Sequence, residues 1–234
     1  MYRFQLETRE EEIVRTISLL PKVFILLGGY AVSAISLHRF SVDCDILASD
    51  AGAREIQNVL SHEGYAKNKS SRIGGKYHGR VVIWTKRTEA GKVAVDLFIE
   101  SLTARGTGAS WSFGYAEKNS TEATVSGTRS STNVRVPSRE LLIAMKIHAG
   151  RDADTRDIVM LSEGVDWNLV AKHASRGDKK ALLKRVTQIM SRMESAQFDS
   201  SLRAAFEMRR NLKPLSLASK KGLLELKNKL EIVP

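Results

Sequence analysis

The stretch 24-FILLGGYAVSAISLHRFSVDCDIL-47 decides the architecture. An apolar run, Val23 to Leu27, ends in Gly28-Gly29; a short amphipathic segment, Tyr30 to His38, follows, and then Arg39-Phe40-Ser41-Val42-Asp43-Cys44-Asp45-Ile46. The pattern predicts a buried strand, a tight glycine turn, a helix and a second strand. Glycines at 28 and 29 let the backbone approach a ligand closely and let the next helix present its first N–H groups to a phosphate. Side chains alternate along a strand, so Asp43 and Asp45 share one face while Val42, Cys44 and Ile46 point into the core. Two carboxylates about 6–7 Å apart repel by roughly 2–3 kcal/mol at an effective dielectric of about 20. A cation between them removes that cost. Oxygen-only ligands on a rigid strand suit Mg²⁺, which takes one or two carboxylates plus substrate phosphates.

Working outward, residues 8–20 place Ile13, Val14, Ile17, Leu19 and Leu20 at near-helical spacing behind an acidic first turn, which predicts a leading helix packed on the sheet. Ala51 to Leu60 has a helical stripe of Ile56, Val59 and Leu60. The polar, basic segment Lys67 to Arg80, with Gly74-Gly75 in its middle, reads as a hairpin turn or loop. Val81 to Trp84 and Lys92 to Glu100 read as strands; in the second, Val93, Val95, Leu97 and Ile99 share one face and Asp96, Phe98 and Glu100 the other. Asp96 is either an edge-strand residue or, if its strand lies beside that of Asp43, the third carboxylate of a cluster suited to two divalent ions.

Residues 104–134, rich in Gly, Ser and Thr, read as one or two short strands with long turns. Composition changes at Val136-Pro137-Ser138, where proline ends the extended segment and Ser138 can cap a helix. The expected organisation is an α/β domain over 1–136 and a helical domain over 137–234. The helix Arg139 to Gly150 carries Leu141, Leu142, Met145 and Ala149 on one stripe, interrupted by Lys146, which either snorkels to solvent or serves a site. The charged run Arg151 to Ile158 follows, with Asp154 and Asp157 on the same side; read plainly, it is a helix start laced with salt bridges. His148 is read as structural. Further helices are expected over 167–175, 180–195, 200–211 and 217–230.

With 234 residues, 42% of them hydrophobic, the chain can bury a substantial core, and two packed lobes are expected. Of the formal charge of +11, the part from Asp178 onward holds 13 basic and 6 acidic residues. That excess favours a polyanionic partner such as nucleic acid, a solvated helical surface being the alternative. Cys44 is the only cysteine, so no intramolecular disulfide can form, and the thiol reads as core packing. The apolar run near the N-terminus is broken by Pro21-Lys22, is too short to span a bilayer and follows Glu10-Glu11-Glu12, unlike a signal peptide. A soluble, cytoplasmic protein with no membrane partner is expected.

Together these pieces resemble the nucleotidyltransferase superfamily that includes DNA polymerase β and the minimal nucleotidyltransferases. Its signature is a Gly-Gly or Gly-Ser turn after a strand, a helix, then Asp-x-Asp on the next strand, here Gly28-Gly29 and Asp43-Cys44-Asp45. The likeness is closer to the AbiEii/MenT-like toxin branch, whose Arg-x-Ser/Thr-x-Asp-x-Asp is matched by Arg39, Ser41, Asp43 and Asp45. That branch also has a later Leu-Leu-x-x-Lys helix followed by an Arg/Asp cluster. Leu141, Leu142 and Lys146 match the helix; Arg151, Asp154, Asp157 and Ile158 match the cluster, with Ala153 where lysine is common.

The resemblance implies a mixed twisted sheet flanked by helices, followed by a helical region. It implies transfer of a nucleoside monophosphate from an NTP, with Asp43, Asp45 and Asp96 holding two Mg²⁺ (or Mn²⁺) ions. Gly28, Gly29 and Ser41 would cradle phosphates, and Lys146 would meet the leaving pyrophosphate. Arg39 would either bind phosphate or brace the carboxylates, and Asp154 or Asp157 would orient Lys146 or Arg151. The implied acceptor is RNA, such as a tRNA 3′ end, with protein AMP transfer and small-molecule modification as alternatives and a cognate antitoxin as a further partner. A different class of reading is a binding module that retains nucleotide or RNA without catalysis.

Overall fold

A computed structural model describes residues 2–72, 79–207 and 211–232. The chain forms two compact units, Met1–Thr103 with Trp111–Pro137, and Ala104–Ser110 with Ser138–Pro234. In the first unit the order is α1 (Tyr2–Leu19), β1 (Phe24–Leu26), α2 (Gly28–Ile35), β2 (Asp43–Ala48), α3 (Asp50–His62), β3 (Ala66–Arg72), β4 (Arg80–Thr88) and β5 (Gly91–Ile99). The chain continues through β6 (Ser101–Ala104), β7 (Ala109–Ser112), α4 (Phe113–Lys118), β8 (Ser120–Ser126) and β9 (Ser131–Pro137).

Seven strands make one sheet in the order β3-β4-β5-β2-β1-β9-β8, and β6 and β7 pair separately. The β2–β5 and β1–β9 pairs are parallel and the others antiparallel, so the sheet is mixed and flanked by helices. β1 is short and sits in the interior of the sheet, where Phe24, Ile25 and Leu26 are all buried. β2 starts at Asp43 and not earlier, which leaves Val42 40% exposed instead of in the core where its place in the alternation puts it; Cys44 and Ile46 are fully buried as expected. Its neighbour α3 is started by Ser49, whose hydroxyl accepts from the Gly52 N–H.

Two segments depart from expectation. Half of the basic stretch read as a turn is the strand β3, paired along β4 from Ala66↔Thr85 to Arg72↔Arg80; Gly74-Gly75 lie outside the described residues. Residues 104–134, read as one or two short strands with long turns, hold β7, α4, β8 and the start of β9: the Ser112 hydroxyl accepts from Tyr115 N and turns Phe113 into the start of α4.

The second unit is helical, with α5 (Arg139–Ala149), α6 (Asp152–Leu161), α7 (Trp167–Ala174), α8 (Lys179–Met193), α9 (Phe198–Ala205) and α10 (Lys213–Ile232). Ser138 caps α5 by accepting from Leu141 N, and Gly150 closes it in the left-handed conformation at φ +60°. Asp166 and Asp178 cap α7 and α8 in the same way as Ser138. Among the described residues no helix is long and apolar enough to cross a membrane.

Candidate active site

In the first unit the glycine turn and the aspartates come together because α2 begins where β1 ends and β2 returns antiparallel beside β1. The Leu27 N–H donates to the Asp45 carbonyl at 2.8 Å, pinning the turn to β2. Gly28 has φ +63°, and a Cβ added there would fall 2.1 Å from Asp45 Oδ2. The position therefore needs glycine twice over, for the backbone angle and for the carboxylate lying across the turn. A Cβ on Gly29 would meet Ser41 Oγ at 2.6 Å and Arg39 Nη2 at 2.9 Å. Leu27, the residue before α2, offers no side-chain cap of its own.

A guanidinium beside a helix N-terminus sets two positive fields together. Such a place suits a phosphate. The loop that brings Arg39 and Ser41 there is itself held in place: Tyr30 Oη donates to the Ser41 carbonyl at 3.1 Å, Ser33 Oγ donates to the Arg39 carbonyl at 3.1 Å, and Arg39 N donates back to Ser33 Oγ at 3.2 Å. Arg39 Nη1 also donates to the Phe40 carbonyl. Tyr30 and Ser33 are positioning residues that the sequence reading passed over; their signal was a tyrosine and a serine three apart in an otherwise apolar short helix.

Asp96 lies on β5, and the parallel β2–β5 register sets Asp45 directly opposite Asp96 and Asp43 opposite Ala94. The edge-strand alternative for Asp96 is thereby excluded, since β5 is flanked by both β4 and β2. Burial pushes the Asp96 carboxyl above its usual range, and the charge of Asp43 pushes it further. The same three carboxylates, after burial itself, raise the Cys44 thiol well above its ordinary value, so Cys44 stays a neutral packing group.

Among the described residues, no group of three or more His, Cys, Asp or Glu side chains is gathered tightly enough to hold a metal ion. The expected three-carboxylate set is thus aligned by the sheet register but not drawn together at its tips. The donor set nevertheless fits a hard divalent cation: all-oxygen, and half-buried at Asp45 and Asp96.

In the second unit Lys146 is 4% exposed, which rules out snorkelling. Its ammonium lies 2.9 Å from Asp154 Oδ1 and 2.8 Å from Asp157 Oδ2, both carboxylates being fully buried. Asp154 also accepts from Arg151 N at 3.0 Å and Arg151 Nε at 2.8 Å, capping α6. Burial alone would raise the Asp154 carboxyl; the charges of Lys146 and Arg151 instead hold it below its usual value. Lys146 is thus committed to two aspartates, not presented to a pyrophosphate. Arg151, whose side chain is 69% exposed, is the cation this cluster shows to solvent. His148 is a buried structural group, as expected: Nδ1 pairs with Thr107 Oγ1 at 2.7 Å and Nε2 with the Ala174 carbonyl at 2.8 Å.

No protein-family model and no curated protein sequence matches the chain. Among solved structures it is similar to JHP933 from Helicobacter pylori, at 16% identity and TM-score 0.48 over 97% of this chain and 93% of that one. It is also similar to an H. pylori protein named "putative nucleotidyltransferase", at 15% identity and TM-score 0.47 over 97% and 96% of the two chains. Likeness at this level leaves the function to the chemistry of the site.

Proposed function

We propose that the chain is a Mg²⁺-dependent nucleotidyltransferase. The observation that carries this reading is the convergence, within one unit, of the Gly28-Gly29 turn, Arg39, Ser41 and the registered pair Asp45–Asp96. A bound pair of divalent ions would supply charge neutralisation of a triphosphate and alignment of an attacking hydroxyl for in-line displacement at the α-phosphorus. Asp43, Asp45 and Asp96 would hold the ions. The first N–H groups of α2, the Ser41 hydroxyl and the Arg39 guanidinium would bind the phosphates and stabilise charge on the departing pyrophosphate. Tyr30 and Ser33 keep Arg39 and Ser41 in place without touching the substrate.

The acceptor we favour is RNA, such as a tRNA 3′ end, supported by the basic excess after Asp178 and by the motif likeness to AbiEii/MenT-like toxins. A toxin role, with a cognate antitoxin as partner, belongs to the same proposal, as does the cytoplasm as its place of action. A second reading, a nucleotide-binding module without transfer, draws on the aspartate tips that are not gathered for a metal.

The test is incubation with each α-labelled NTP, Mg²⁺ and total RNA, beside the Asp43→Ala/Asp45→Ala variant. Label entering RNA and lost in the variant supports the enzyme. Nucleotide binding that survives the double substitution, with no label transferred, sinks it in favour of the binding module. Replacing RNA with protein in the same assay separates AMP transfer from RNA extension.

A further inference from the structure

Within the helical unit, α7, the turn after it, the start of α8 and the last turns of α10 line an open cavity of about 540 Å³. Its lining contains four cations, Lys172, Arg176, Lys179 and Lys229, and no carboxylate. Its floor is apolar, formed by Ala171, Leu182, Leu226 and Leu230, all buried. Asn168 and Ser175 add neutral polar groups at the rim, and Asn168 Oδ1 accepts from Lys229 Nζ.

The walls are fixed. Arg176 is oriented by two neutral carbonyls, its Nε donating to His173 at 3.1 Å and its Nη1 to Ser110 at 3.2 Å. The turn between α7 and α8 passes through Gly177 at φ +66°, where a Cβ would strike the Thr107 carbonyl oxygen at 2.2 Å. Asp178 N donates to that same carbonyl at 2.7 Å. Asp178's own carboxylate is spent on capping α8 through Ala181 N.

Four cations and no carboxylate among the lining residues give the cavity a positive potential that attracts an anion. The volume falls in the range of small-ligand sites. The geometry points to a second, metal-independent site for a nucleoside phosphate, with two or three phosphate charges met by Lys172, Arg176, Lys179 and Lys229 and the flat base laid on Leu182, Leu226 and Leu230. A fatty anion would use the leucines but leave most of the four cations without a partner, whereas inorganic phosphate would leave the floor empty. The source is either a free nucleotide or the 5′-phosphorylated terminal nucleotide of an RNA strand. The inference does not depend on the sheet unit being catalytic.

The test uses the full chain in EDTA, so that metal-dependent binding is silenced. Binding of a fluorescent N-methylanthraniloyl GTP and of a short 5′-phosphorylated RNA is measured for the native chain, for Asp43→Ala/Asp45→Ala, and for Lys172→Ala/Lys229→Ala, whose two side chains are exposed. Circular dichroism verifies that each variant is folded. The expected result is equal affinity for the first two and at least a tenfold loss for the third. If the labelled nucleotide binds this way, the source is a free nucleotide; if only the RNA does, the source is a strand end. Unchanged binding in Lys172→Ala/Lys229→Ala, no binding of either probe at millimolar concentration, or displacement of the probe by laurate more readily than by unlabelled GTP would overturn the inference.

Discussion

Replacing Lys146 by methionine keeps an unbranched side chain, one atom shorter, and removes its charge. The structure makes the consequence calculable, because the ammonium is 2.9 Å from Asp154 and 2.8 Å from Asp157 and both carboxylates are fully buried. Removing one partner of such a cluster strands buried negative charge and costs about 3–5 kcal/mol. Asp154 keeps its bonds to Arg151, so the lower end, about 3 kcal/mol, is expected. Against a domain stability of roughly 5–15 kcal/mol, that is a large fraction but leaves the protein folded. Urea unfolding followed by circular dichroism measures it. Lys146→Met/Asp157→Asn removes both members of the stranded pair and should recover part of the loss, since a neutral pair no longer carries a buried uncompensated charge. A Lys146→Met protein within about 1 kcal/mol of the native chain would refute the claim that this lysine is a buried electrostatic anchor.

Gly28→Ala and Gly108→Ala form a matched pair. Both glycines are left-handed, at φ +63° and +67°, but a Cβ at 28 meets Asp45 Oδ2 at 2.1 Å whereas one at 108 meets nothing within 4 Å. Each should lose about 1–2 kcal/mol of stability to backbone strain, while only Gly28→Ala should lower label transfer, by about 10–100-fold through the displaced carboxylate; equal activities would show that the close approach does not matter. His148 gives a pH signature. Burial pulls its pKa down to about 4, against an ordinary 6.5, so the unfolded chain binds the proton first. Stability from His148 is full above pH 6.5 and is lost as pH falls towards 4, by roughly 3 kcal/mol in total. Urea midpoints from pH 7.5 to 4.5 should flatten in His148→Gln, leaving the smaller share of His173, whose pKa is also lowered by burial; an unchanged slope would contradict the assignment.

How much of this was legible in sequence depended on whether burial left a periodic trace. The β1–α2–β2 path was legible because Phe24 to Leu27 is uniformly apolar, two glycines follow, and Cys44 and Ile46 alternate with the aspartates. The start of α5 was legible because Pro137 and Ser138 carry both a stop and a cap. β3 was not: it is an edge of the sheet, and its Lys67, Asn68 and Ser70 are all exposed, so the strand carries no apolar alternation. Nor was the register of β2 against β5, since parallel pairing between strands more than forty residues apart is a property of the fold, and the sequence could only make Asp96 conditional on it. Lys146 was visible as an anomaly in an apolar stripe. That Asp154 and Asp157 both turn back onto it became clear only once α6 was seen packed beside α5.

The central claim, that the aspartates and the glycine turn perform nucleotidyl transfer, is tested most directly by supplying the same NTP labelled either at the α- or at the γ-phosphate. With Mg²⁺ and RNA, the account predicts that α-label enters the acceptor while γ-label leaves as pyrophosphate, and that both events disappear in Asp45→Asn and in EDTA. Transfer of γ-label to the acceptor, or α-label transfer that persists in Asp45→Asn, would contradict it.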